Sequence, residues 1–171
     1  MTVSIVSGFE NLHLIMKGCI DSEMVTDGLL DDVETFIPVY TGEKNLPEPL
    51  IWMYQLETTP VRNPDLSQTM ELQTPFQFNC AVYEPEIEDS NISCQNLACR
   101  VVLSILKNWQ TIQAGLLPGE RMIVQIKFDR YYPLGTIEVN GKSERLPVIG
   151  VRLDVIHRIN WKLCCRTIND E

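Results

Sequence analysis

Histidine is scarce in this sequence, and the two that occur, His13 and His157, stand apart from any cysteine or carboxylate cluster. A zinc or transition-metal site needs several nitrogen or sulfur donors at a recognisable spacing, so no metal centre is expected. Runs of basic residues are also missing: 14 Lys and Arg stand against 23 Asp and Glu, a formal charge of −9. Specific nucleic-acid binding relies on clustered cations that neutralise phosphates, so it is not expected either. No apolar stretch approaches the ~20 residues that span a bilayer. The opening Met1-Thr2-Val3-Ser4-Ile5 has no basic segment leading into an apolar one. Together these features predict a protein made in the cytoplasm, with no membrane partner.

Other signatures of chemistry are missing as well. The segment Gly115-Leu116-Leu117-Pro118-Gly119 holds two glycines but lacks the lysine, preceding strand and following helix of a phosphate-binding loop. The six cysteines, Cys19, Cys80, Cys94, Cys99, Cys164 and Cys165, form no CxxC or ribbon spacing and read as reduced, packed thiols. Cys94 and Cys99, five apart on a helix, point to different sides. The acids Asp31, Asp32, Glu34, Glu84, Glu86, Glu88 and Asp89 read as solvated loop charge. No catalytic residue, cofactor or metal is assigned, and His157, on the apolar side of a strand, reads as a hydrogen-bonded core histidine.

What the sequence does contain is ordinary globular material, 44% hydrophobic and 22% charged over 171 residues. A domain of this size buries roughly 70% of the surface of its unfolded chain and needs no staples. The patterning predicts one α+β domain. Its mainly antiparallel or mixed sheet has about four to six strands, with an N-terminal helix and one long amphipathic helix (about 91–109) packed on one face.

The first helix is read from Phe9, Leu12, Ile15, Met16 and Cys19 behind Ser7, and a second, short one over Thr26–Thr35 from Leu29, Leu30 and Val33. Prolines 47 and 49 and Gly42 break the chain before Leu50–Leu56, a strand apolar on both faces and therefore central. A long polar loop or hairpin follows at about 57–75. Phe76, Phe78, Cys80 and Val82 alternate as a half-buried strand. Asp89-Ser90-Asn91 offer caps for the main helix, whose apolar stripe runs from Cys94 through Leu97, Val101, Ile105 and Leu106 to Trp109. Gly115 and Pro118-Gly119 are read as its stop.

Met122, Val124, Ile126 and Phe128 mark one face of the next strand, and Tyr131–Gly135 reads as a turn-rich link. Asn140-Gly141 favours a tight turn in a β-hairpin at about 135–147. In the closing strand, Val151, Leu153, Val155, His157, Ile159, Trp161 and Leu163 alternate over about 43 Å. A strand that long outreaches a small domain, so one end is expected in a protruding hairpin or beneath another subunit. The tail Thr167–Glu171 is polar and reads as loose.

This order of elements resembles the tail-terminator, or tail-completion, proteins of long-tailed bacteriophages and prophages. The residues that carry it are the N-terminal helix, the loop and strand from Thr41-Gly42 to Leu56, the strand and helix from Phe76 to Trp109, and the closing Arg158-Ile159-Asn160-Trp161. The resemblance spans most of the chain and is one of pattern, without a diagnostic motif.

It implies a hexameric ring that caps the tail tube, ends tail polymerisation and joins tail to head in the virion, with the tail tube protein and neck or connector proteins as partners. Six copies at −9 each would carry about −54, and a lumen sharing that charge would let DNA pass without binding it. The interface is expected at two places: the loop with Arg62, Asn63, Asp65 and Gln68, and the hairpin and strand with Lys142, Arg145, Arg152 and Arg158. Another neck component, a stopper or adaptor, is the alternative. A small-molecule-binding or enzymatic domain is a third reading, and would require a deep pocket with convergent polar groups.

Overall fold

The computed structural model describes residues 7–39, 46–61, 69–117, 122–138 and 145–160. Its elements are α1 (Ser7–Asp21), β1 (Thr35–Ile37), β2 (Leu50–Gln55), β3 (Thr59–Pro60), β4 (Thr69–Ala81), α2 (Ile87–Leu116), β5 (Ile123–Glu138) and β6 (Arg145–Asn160). The sheet runs β1-β2-β4-β6-β5, and β3 pairs with β4. β1 is parallel to β2, and the other pairings are antiparallel. The fold is therefore α+β with a six-strand mixed sheet, an N-terminal helix and one long helix, as the patterning predicts.

Both helices pack on one sheet face. Alternate residues of the central strands, Ile51 and Met53, Phe76, Phe78 and Cys80, and Val151, Leu153 and Val155, meet Leu12, Ile15 and Met16 of α1 and Leu97, Val101 and Ile105 of α2 in one buried cluster. α1 and α2 approach closely at Gly18, where an added Cβ would fall 2.9 Å from Ile112. β2 is covered on both faces as expected: Leu50 and Trp52 turn the other way and join Ala81 and Val148 in a smaller cluster.

The expected helix over Thr26–Thr35 does not form. Asp27 adopts a left-handed φ of 65°, and Gly28 lies so close to the preceding turn that a Cβ would fall 2.2 Å from the Glu23 carbonyl oxygen. That carbonyl accepts from the Leu30 N–H at 2.9 Å, and the Glu23 carboxylate accepts from the Leu29 N–H at 3.0 Å. Side-chain capture of a backbone donor thus replaces the helical ladder, while Leu30 and Val33 still reach the core.

α2 is longer than predicted, about 45 Å at 1.5 Å per residue. Its N-cap is Glu86, with no side-chain cap. Ser90 turns back instead, accepting from the Glu84 N–H at 2.8 Å and donating to the Glu84 carbonyl. Glu88 and Asp89 in the first turn complement the helix dipole. Gly115 does not stop the helix. It ends before Pro118, whose ring disfavours helical backbone at Leu117.

The polar stretch 57–75 resolves into a hairpin, with Thr59 opposite Gln73 and Pro60 opposite Leu72. β4 begins at Thr69, earlier than Phe76, because Leu72 and Thr74 extend the buried alternation beneath polar neighbours. The Tyr131–Gly135 link is likewise strand, inside β5. β5 carries irregularities at Ile123/Gln125, Phe128/Arg130 and Pro133/Gly135. The first of these breaks the expected alternation: Met122 and Ile123 are both buried, and Val124 is exposed. β6 starts at Arg145, paired with Glu138. Its 16 residues reach roughly 53 Å. Asn140-Gly141, Trp161 and Leu163 lie outside the described residues.

Candidate assembly surface

The sheet face away from the helices is polar at its centre. Alternation in β4 and β6 places Gln73, Gln77, Asn79, Arg152, Asp154 and Arg158 there. Gln73 Nε2 donates to Asp154 Oδ2 at 2.8 Å, and Gln77 Nε2 to Asn79 Oδ1 at 2.8 Å. Arg152 Nε lies 3.3 Å from Asp129 Oδ2 and 3.4 Å from Asp154 Oδ1, so one guanidinium serves two carboxylates. Arg158 donates through Nε and Nη2 to Glu71 Oε1 at 2.9 and 2.7 Å.

Two titratable groups inside the fold, Glu23 and His157, have structural partners. The buried Glu23 carboxylate accepts from Lys107 Nζ at 2.8 Å, Asn108 Nδ2 at 2.6 Å and the Leu29 N–H. Those donors, Lys107 first, hold its pKa down at about 2. It thereby ties α2 to the turns that follow α1. His157 is fully buried, its Nε2 2.8 Å from Thr74 Oγ1, and burial lowers its pKa to about 4. His13 lies on α1, and partial burial lowers its pKa, with Lys17 adding to the effect. Burial raises the Cys19 thiol to about 12 and Cys94 to about 11, and pushes Cys80 up as well, which suppresses their thiolate reactivity. Among the described residues no group of three or more His, Cys, Asp or Glu is placed to hold a metal.

The helix-covered side ends in a flank that is not covered. α2 packs over β4 and β6, which leaves the outer strand β5 with only its inner edge beneath the helix. Phe128 and Tyr131 stand there 46% and 42% exposed, their ring centroids 4.8 Å apart. The Tyr131 hydroxyl lies 3.2 Å from Cys99 Sγ, and burial together with that contact raises its pKa. A groove of about 210 Å³ runs beside them, lined by Gln95, Cys99, Tyr131, Tyr132, Pro133 and Ile149. Leu103 and Leu106 continue the apolar surface along α2, four and seven residues beyond Cys99, and both are exposed.

No protein-family model matches the chain, and no curated protein matches its sequence.

Of the residues predicted at an interface, Arg62, Asn63, Asp65, Gln68 and Lys142 lie outside the described residues. Arg145 opens β6. Arg152 and Arg158 share the open sheet face, each ion-paired within the chain. The flank of Cys99, Leu103, Leu106, Phe128 and Tyr131 was not predicted. Its signal lay in the width of the α2 stripe, since apolar positions spread over more of the helix than one buried face accommodates. Leu106, read as core, is 45% exposed.

Proposed function

We propose that this chain is a structural component of a long-tailed phage particle, a tail terminator that caps the tail tube as a ring, ends tail polymerisation and joins tail to head. Its partners are further copies of itself, the tail tube protein and the neck proteins, and its place is the head–tail junction of the virion. The reading assigns it no catalytic step and no cofactor.

The observation that carries this reading is a two-layer body bearing an exposed aromatic and leucine flank, a kind of surface that in soluble proteins marks a protein contact. The element order adds the family resemblance. The polar open face, with its paired arginines and carboxylates, suits a wet contact or a DNA-passing lumen better than a dry ligand pocket.

Electron microscopy of particles assembled after deletion of this gene tests the proposal. Tails of irregular, excessive length beside separate filled heads are expected. Tails of normal length detached from leaking heads would assign it to a connector instead, and intact infectious particles would overturn both assignments.

A further inference from the structure

We draw no further inference here: the strongest candidate, the exposed flank of Leu103 and Leu106 on α2 with Phe128 and Tyr131 on β5, is an apolar face for which nothing in the structure shows what covers it, since the cations of α2, Arg100 and Lys107, are already paired with Asp32 and Glu23.

Discussion

The Thr74 hydroxyl bridges two side chains from distant parts of the chain, lying 2.8 Å from His157 Nε2 and 2.7 Å from Thr58 Oγ1. The bridge joins β4 to β6 at a fully buried position and extends to Thr58, just before β3. It places a neutral imidazole where no water can solvate its cation.

Stability should therefore fall as pH drops below the ordinary histidine range. The folded-state pKa of His157 is about 4, below the unfolded value of 6.5. The unfolded chain thus binds the proton first, and the stability that His157 contributes above pH 6.5 is lost as pH falls toward 4. Between pH 6.5 and 4.5 the loss should be about 2 kcal/mol, read by urea denaturation. His157→Gln keeps a hydrogen-bonding group beside Thr74 and should flatten most of the dependence. His13, whose pKa is also lowered, accounts for a smaller residue. An unchanged slope in His157→Gln would show that protonation of His157 is not the cause.

Glu23 acts in the next window. Its folded pKa of about 2 lies below the ordinary 4.5, so its contribution is complete above 4.5 and is lost as pH falls toward 2. Glu23→Gln removes the charge that Lys107 meets and turns a donor toward either Asn108 or the Leu29 N–H. A cost of about 2 kcal/mol is expected at pH 7. Amide exchange at Leu29 and Leu30 should quicken more than exchange in β4, because the turns after α1 lose their anchor. Equal protection at all of these sites would contradict a local role.

α1, the second half of β4 and β6 could be read from the sequence because each has one buried face with little interruption, and β2 because it is apolar on both faces. The misread segments had local chemistry that composition does not display. In Thr26–Thr35 the helical spacing of Leu29, Leu30 and Val33 is genuine, yet a carboxylate six residues back takes the Leu29 N–H. In β5 an irregularity after Ile123 reverses which side chains face inward, so a pattern counted from Met122 assigns Val124 to the wrong side. The candidate surface was visible only as an excess of apolar residues on α2. Which of them stay exposed depends on where β5 lies in the sheet, and strand order is not written in local periodicity.

Arg152 is a poor choice for separating interface effects from folding effects. Its guanidinium lies between Asp129 and Asp154, so Arg152→Glu would set three carboxylates together on adjacent strands. A loss of about 2 kcal/mol is expected from this partly screened cluster, seen as a lower urea midpoint, with Arg152→Gln milder. Arg158, half exposed and paired with Glu71, should cost no more than about 1 kcal/mol when changed to Gln. Assembly lost in Arg158→Gln without loss of stability would place the contact on the open sheet face. Loss confined to Arg152→Glu would reflect folding.

Gly150 offers a test of the β5–β6 pairing itself. It sits opposite Tyr132, and a Cβ there would fall 2.9 Å from Tyr132 Cζ and 3.1 Å from Leu134 Cδ1. The phenol ring thus occupies the space that a side chain on β6 would fill, an aromatic cover over a strand glycine. Tyr132 can give way slightly, since it lies near the sheet edge, so Gly150→Ala should cost about 1 kcal/mol. Gly150→Val, with two further methyls against the same ring, should cost about 3 kcal/mol. In the double variant Gly150→Ala, Tyr132→Ala the clash with the ring is gone and only the approach to Leu134 remains, so the cost should fall below the sum of the two single changes. Strict additivity in that cycle would mean that the ring and the glycine are not coupled, and that Gly150 is required for its backbone alone.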